Sequence, residues 1–420
     1  MGYASNKVIF WGAFALVLLL GWSQTPTQTA NAYYDAGLDK MKQGWLKEAI
    51  ANFSKCVEIS PYYYEAYAQR GKCYFDLGKK QEALADFNTA LQKKKDYYLA
   101  FYYRALYYRD AGKNDLAYAD IQRSMEIMPR FKDAYKTRIS WFMEDKKFDE
   151  ALKDIQALQN LDEDNLEWEV LKGKIWFLQG KDDEAFTKFT ELLKKDPGNA
   201  EIYYLRGLMY SRKKEKKPID DEKAYEDFSQ AKKLGLKEKN LLERHYLLAM
   251  ELGHFSEALS DANDLLSLEK KNSVYWFWRA KAWADMNQCD SAIASVNKAL
   301  VLQPAFEDAY LLRADCKIKK GKENQAISDF NKVLQLNPQN ARAYEERGVY
   351  YFNKNLYDKA LEDFNNAIKF GESGRAYFYR GAIKDMQKDT KNGCLDLKKA
   401  VDLKYPEAEK AYKRACGMIK

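Results

Sequence analysis

Small residues recur along this chain at one regular interval. Alanine occupies one column ten times, with residue numbers that rise by 34 at each step apart from a single longer step of 39: Ala49, Ala83, Ala117, Ala151, Ala185, Ala224, Ala258, Ala292, Ala326 and Ala360. A second glycine or alanine precedes most of these alanines by 12 positions, and an aromatic or branched aliphatic residue follows by four. Four residues is one helical turn, so the pattern predicts repeated pairs of helices that approach closely at the small residues.

The columns resemble the tetratricopeptide repeat, a helix-turn-helix unit. Its pattern appears clearly in the second copy, Tyr67, Gly71, Tyr74, Gly78, Ala83, Phe87 and Ala90, and in the tenth, Tyr344, Gly348, Tyr351, Ala360, Phe364 and Ala367. The resemblance implies an all-α fold, a right-handed α-solenoid of about eleven hairpins plus a C-terminal capping helix. We expect repeats over 33–420, a linker over 24–32 and an insertion in the sixth hairpin turn at 212–222.

The N-terminal segment has the pattern of a targeting signal. Val8 to Trp22 is almost wholly apolar and follows Lys7. Its 15 residues suit a secretory signal better than a membrane span of about 20 residues. Cleavage could follow Ser23 or Ala32, and an uncleaved membrane anchor within 1–23 remains the alternative. We therefore expect a bacterial exported protein, periplasmic or associated with the cell envelope, whose membrane association involves this segment alone.

Composition argues against catalysis. The chain has 69 basic and 62 acidic residues, a net charge of +7, and only two histidines, His245 and His254. It contains no phosphate-binding glycine loop, no nucleophile elbow and no His/Cys metal spacing, and no nucleophile is visibly paired with a base. The sequence predicts a protein that is not an enzyme and has no cofactor, no metal and no small-molecule substrate.

Two charged columns keep a constant separation along the chain. The first is mostly arginine and the second mostly aspartate, and the clearest pairs are Arg70 with Asp86, Arg104 with Asp120, Arg313 with Asp329, and Arg347 with Asp363. Since they straddle the hairpin turn, we expect ion pairs within each hairpin, half exposed and each worth no more than about 1 kcal/mol. The alternative is a polyanion or nucleic-acid binder that uses the arginine column and the Lys213–Lys217 loop, although the small net charge disfavours nucleic acid.

Two cysteines near the C-terminus are placed symmetrically. Cys394 and Cys416 are equally far along the chain from Tyr405, where the chain turns. Antiparallel helices would bring them to the same height, so an exported chain would bond them. Whether Cys289 and Cys316 are also bonded stays open.

The first helix of each hairpin should face the hollow of the solenoid. Apolar side chains are expected on that face at Tyr102, Tyr103, Leu106, Leu171, Leu178, Tyr204, Leu205, Leu208, Phe277, Trp278, Leu311, Leu312, Phe378 and Tyr379. Large apolar side chains on an accessible groove are typical of a surface that binds a protein or peptide segment. The alternative is that several of them pack on the neighbouring helix.

Overall fold

The computed structural model describes residues 25–162, 165–212 and 217–417. All regular structure in these ranges is helical, which confirms the all-α solenoid. The 23 helices are α1 Pro26–Lys42, α2 Leu46–Ile59, α3 Tyr64–Asp76, α4 Lys80–Lys93, α5 Tyr98–Asp110, α6 Asn114–Ile127, α7 Lys132–Glu144, α8 Phe148–Leu161, α9 Leu166–Gln179, α10 Asp182–Lys195, α11 Ala200–Ser211, α12 Pro218–Lys233, α13 Lys239–Glu251, α14 Phe255–Leu268, α15 Ser273–Asp285, α16 Cys289–Leu302, α17 Glu307–Lys319, α18 Glu323–Leu336, α19 Ala341–Asn353, α20 Tyr357–Phe370, α21 Gly374–Met386, α22 Thr390–Asp402 and α23 Ala408–Cys416.

The chain divides into two compact units. The first is Met1–Lys188 and the second is Phe189–Lys420, so the division falls within α10. In each unit, an odd-numbered helix and the even-numbered helix after it form a hairpin, and successive hairpins pack on one another. We call the odd-numbered helix of each hairpin its first helix and the even-numbered helix its second helix.

The small residues hold the two helices of each hairpin together. A Cβ built on Gly71 would lie 2.6 Å from the Phe87 ring, and one built on Gly348 would lie 2.8 Å from the Phe364 ring. Both phenylalanines are fully buried. The glycine on the first helix therefore makes room for the ring that follows the column alanine on the second helix, as the sequence pattern predicts.

The first helix begins earlier than expected. Residues 26–32 belong to α1, so the linker predicted at 24–32 was wrong for most of its length. The reason is local, because Thr25 and Gln28 cap the helix reciprocally and Pro26 occupies its first turn, where a missing N–H has no cost. The predicted signal or anchor at 1–23 lies outside the described residues.

The insertion in the sixth hairpin is shorter than predicted. Helix α12 begins at Pro218, where Asp220 accepts the backbone N–H of Lys217. Residues 218–222 thus extend the second helix by about a turn instead of forming a loop. Of the basic run, 213–216 lies outside the described residues. Among the described residues, no helix is both long enough and apolar enough to span a bilayer.

Candidate partner-binding surface

The arginine and aspartate columns meet across each hairpin. Arg347 donates from Nε to Oδ2 of Asp363 at 2.8 Å and from Nη2 to Oδ1 at 2.7 Å. The same two-pronged contact joins Arg70 to Asp86, Arg104 to Asp120, Arg138 to Asp154, Arg206 to Asp227, Arg313 to Asp329 and Arg380 to Asp396. The structure therefore brings together all four pairs chosen from the sequence.

Most of these arginines also reach the preceding hairpin. Arg347 donates from Nη1 to Oδ1 of Asn331, on the second helix of the hairpin before, at 2.6 Å. The equivalent acceptors are Ser54, Asn88, Gln122, Asn297 and Asn365. Sequence reasoning missed this third column, although a polar residue five positions after the column alanine was the available signal. The guanidinium groups thus form a ladder that joins successive hairpins within each unit.

The ladder is more buried than the sequence suggested. The side chain of Asp363 is only 3% exposed and that of Arg347 is 20% exposed, so the expectation of half-exposed pairs was wrong. Burial raises the pKa of the Asp363 carboxyl, and the Arg347 guanidinium opposes that rise. Guanidinium groups that already bond carboxylates and amides are not free to bind phosphates. This geometry counts against the polyanion alternative.

One step of the ladder has a different chemistry. In the seventh hairpin, His245 replaces arginine, and its Nε2 is hydrogen-bonded to Ser229 Oγ at 2.8 Å. Its Nδ1 lies 2.5 Å from Oδ2 of Asp261, which Lys232 also contacts. The expectation that no nucleophile is paired with a base was therefore wrong, because this is the connectivity of a serine-hydrolase triad.

The triad-like step lacks the other parts of a hydrolase site. Ser229 lies inside α12, where backbone N–H groups bond within the helix and cannot form an oxyanion hole. His245 is 1% exposed, and its ring stacks on Tyr225 at 4.8 Å. The geometry matches a ladder contact in which histidine substitutes for arginine. Within the described ranges, no group of three His, Cys, Asp or Glu side chains is placed to hold a metal ion.

Another ion pair joins hairpins in the first unit. Arg109 on α5 donates from Nη2 to Oδ1 of Asp145 at 2.7 Å, and the Tyr118 hydroxyl donates to Oδ2 at 2.8 Å. These hydrogen bonds, that from Arg109 above all, lower the pKa of Asp145 to about 2. The pair ties the third hairpin to the fourth.

The C-terminal cysteines are bonded in the structure. Cys394 on α22 and Cys416 on α23 form a disulfide with their Cα atoms 5.7 Å apart. The bond fastens α23 to the preceding hairpin. Cys289 and Cys316 are free thiols in one buried cluster, and Cys56 and Cys73 are also free and buried.

Of the fourteen candidate first-helix residues, Leu171 and Leu178 line a cavity in the first unit, and none of the other twelve is fully exposed. Three lie in the first unit and nine in the second. The half-buried ones are Tyr102, Tyr103, Leu106, Tyr204, Leu208, Phe277, Trp278, Leu312, Phe378 and Tyr379. Leu205 and Leu311, only 8% and 7% exposed, were wrong as binding residues because they pack into the core.

Several of the aromatic candidates are engaged by the neighbouring hairpin. The Tyr102 hydroxyl lies 3.0 Å from the Thr137 hydroxyl on the next first helix. Trp278 stacks on Tyr246 with ring centroids 4.4 Å apart. These side chains help to hold neighbouring first helices together. The accessible apolar surface lies instead in cavities between the helices.

The first unit has a cavity between two first helices. It measures about 450 Å³ and lies between α7 and α9. Its apolar lining consists of Ile139, Met143, Leu171 and Leu178. Leu178 is 50% exposed, although it is a large aliphatic side chain. A mainly apolar cavity of this size with charged groups at its edge is suited to a side chain of a bound peptide.

The second unit has a smaller cavity, lined by three first helices and one second helix. It measures about 300 Å³ and is lined from α17, α18, α19 and α21. Its apolar lining includes Ala326, Phe330, Val349 and Tyr379, and its charged lining is Glu323, Glu346 and Arg375. Each unit thus has a recess with apolar lining to which several first helices contribute.

An all-helical repeat array with recesses between its helices is the architecture of a binding scaffold. Family models described as tetratricopeptide repeat match residues 30–63, 64–97, 142–200 and 311–377. The chain therefore contains tetratricopeptide repeats, which confirms the resemblance. Arrays of this repeat are in general non-catalytic protein-interaction scaffolds.

Known relatives resemble part of the chain. The DnaJ homolog subfamily C member 7 homolog of Schizosaccharomyces pombe is 26% identical over 175 residues, 39% of this chain and 37% of that protein. The DnaJ homolog subfamily C member 7 of Homo sapiens is 30% identical over 166 residues, 36% of this chain and 32% of that protein. The chain thus matches only about a third of the length of these curated relatives. The crystal structure of YrrB, a TPR protein with an unusual peptide-binding site, is 20% identical with a TM-score of 0.35, covering 43% of this chain and 91% of that chain.

Proposed function

We propose that the first-helix face of this scaffold binds a peptide segment of a partner protein, with an apolar side chain in the cavity between α7 and α9. The observation that carries the proposal is this cavity, in which Ile139, Met143, Leu171 and Leu178 leave about 450 Å³ accessible. Burying one leucine-sized side chain there would contribute about 1.5–3 kcal/mol to binding.

The ladder supports the same assignment. In the ladder, the arginine and aspartate side chains bond to one another and to the preceding hairpin, so their charges stabilise the fold. The accessible surface for a partner is then the two cavities, to which several first helices contribute. The polyanion alternative would require guanidinium groups with free donors. The arginines that pair with aspartate use Nε and Nη2 on the carboxylate, and most of them use Nη1 on a side-chain amide or hydroxyl.

We also propose that the protein acts outside the cytoplasm of a bacterium, in the periplasm or cell envelope. Two observations support this location. The apolar run over 8–22 has the length of a secretory signal. The disulfide between Cys394 and Cys416 is a bond that persists in oxidising compartments.

The binding proposal can be tested with two matched leucines. A random peptide library displayed on phage would be selected against the purified full chain. We expect Leu178→Glu to weaken the selected peptides by more than about tenfold, because a carboxylate replaces apolar lining at the cavity. Leu116 lies on α6, a second helix, and is 48% exposed against 50% for Leu178. Leu116→Glu is therefore the control and should leave binding unchanged.

Two results would contradict the proposal. One is equal binding by both variants, which would place the peptide elsewhere. The other is a steep fall in binding with salt, on the scale of counterion release, which would support the polyanion alternative. Since both leucines are half exposed, neither variant removes a core contact, and circular dichroism should show unchanged helix content.

A further inference from the structure

We infer that the cavity on α17, α18, α19 and α21 binds a peptide segment that carries a large aliphatic side chain next to a lysine or arginine. This inference rests on the proposed function, since it assumes that first-helix faces bind peptides. It adds which side chains of a bound peptide the second unit prefers. The repeat pattern of the sequence could not predict this cavity, because its lining comes from four helices.

The apolar floor of the cavity accepts an aliphatic group. Its accessible part comes from Ile327 on α18, Tyr350 on α19 and Tyr379 on α21. Ala326, Phe330 and Val349 also line the cavity but are buried. Ile318 stands at the opening and is 37% exposed. The accessible volume of about 300 Å³ is enough for one leucine- or methionine-sized side chain and part of the adjoining backbone. An apolar floor gives affinity to such a group, and the polar lining must then set its orientation.

Arg375 supplies unused donors at this cavity. Its Nη1 bonds Glu345 at 3.3 Å and Glu346 at 2.7 Å. Within the described part of the chain, its Nε and Nη2 have no acceptor, whereas the ladder arginine Arg347 uses Nε, Nη1 and Nη2. The spare edge of a planar guanidinium is suited to a main-chain carbonyl of a bound peptide. A carbonyl fits better than a carboxylate here, since two glutamates already flank the group.

The charge of the lining favours a basic neighbour. Glu323 and Glu346 contribute two negative charges and Arg375 one positive charge, so the lining carries one negative charge in excess. Lys354 approaches Glu323 only to 3.7 Å, and both side chains are over 40% exposed. An exposed pair of this kind is weak and can give way to a cation on the ligand. Charge complementarity therefore selects lysine or arginine beside the aliphatic group.

The test is a displayed peptide library with leucine fixed at the centre and all flanking positions random. Against the full chain, we expect lysine and arginine to be enriched beside the leucine. Against Glu323→Lys, the enrichment should reverse toward aspartate and glutamate, with about a tenfold change in affinity for the wild-type peptides. Glu362 on α20 is exposed and is not part of the cavity lining. Glu362→Lys makes the same charge change away from the cavity and should keep the basic preference.

A second pair of variants locates the binding site. Ile318→Glu should abolish binding of the basic peptides, whereas Leu302→Glu should not, since Leu302 is similarly exposed at the end of the second helix α16. If the peptides bind but are insensitive to Ile318→Glu, or show no basic preference, this inference is overturned and the proposed function stands. If no library peptide binds the chain at either cavity, the proposed function fails with it.

Discussion

The Arg347 contact allows the ladder to be tested at one step. Replacing Arg347 by alanine leaves the Asp363 carboxylate, 3% exposed, without its guanidinium partner. Asp329 and Asp396 each have a second cation, Lys317 and Lys384, at 2.7 Å. The position equivalent to these lysines beside Asp363 is an aromatic residue. Asp363 is therefore the more sensitive site.

We expect Arg347→Ala to destabilise the tenth hairpin by about 3–5 kcal/mol at pH 7, the cost of leaving a buried charge unpaired. Because a repeat array can open in parts, the measurement is native-state hydrogen exchange of amides in α19 and α20. The control is Arg123→Ala, which breaks the exposed pair with Glu126. That change should cost less than about 1 kcal/mol.

The charge explanation also makes a pH prediction. Burial already raises the folded-state pKa of Asp363, and removing Arg347 takes away the group that opposes the rise. A raised carboxyl pKa means that stability is retained below the unfolded pKa and is lost as pH rises through the folded pKa. The Arg347→Ala penalty should therefore be smaller at pH 4 than at pH 7. Adding Asp363→Asn should recover part of the loss at pH 7. A penalty no larger than that of Arg123→Ala, or no recovery in the double variant, would refute the reasoning.

Three further predictions concern stability. Gly71→Leu should cost about 1–3 kcal/mol by overpacking against the ring it faces, measured by urea unfolding, and a neutral result would contradict the close packing of the hairpin. Thiol labelling of the unreduced, denatured protein should modify four of the six cysteines and spare Cys394 and Cys416. Labelling of all six thiols would exclude the disulfide. Replacing Cys394 and Cys416 should lower the hydrogen-exchange protection of α23 by about 2–4 kcal/mol. Asp145 has a pKa lowered to about 2, so its contribution is present above its unfolded pKa and is lost as pH falls toward 2. Acid titration by circular dichroism should show a smaller loss between pH 4 and pH 2 in Asp145→Asn, and equal losses would contradict the pairing.

The sequence predicted contacts that depend on the repeat period. Arg347 and Asp363 have the same separation along the chain as the corresponding pairs in other copies, and this constancy made their contact visible. Asn331 was missed because only spacings within one hairpin were compared, whereas its hydrogen bond crosses to the next hairpin. Thr25 and Gln28 were missed for another reason, because their capping falls before the first copy of the pattern.

Exposure was much harder to predict than contact. Leu205 and Leu178 both stand on first helices, yet one is 8% and the other 50% exposed. They occupy different positions of the repeat, since Leu205 lies two residues before Gly207 and Leu178 lies five residues after Gly173, and the prediction placed both on one face. The cavity lined by Arg375 was missed for another reason, since it needs side chains from several hairpins. The sequence therefore predicted the ladder and the fold well, and the accessible binding surface poorly.

The most direct test of the account is to locate the bound peptide. The photo-crosslinking amino acid p-benzoylphenylalanine would be placed at position 178 or at position 116 of the full chain, and each protein irradiated with a peptide selected from the display library. The account predicts a crosslink from position 178, with the peptide joined through its apolar residue, and none from position 116. A crosslink from position 116 with none from position 178 would contradict the assignment of the first-helix face as the binding surface.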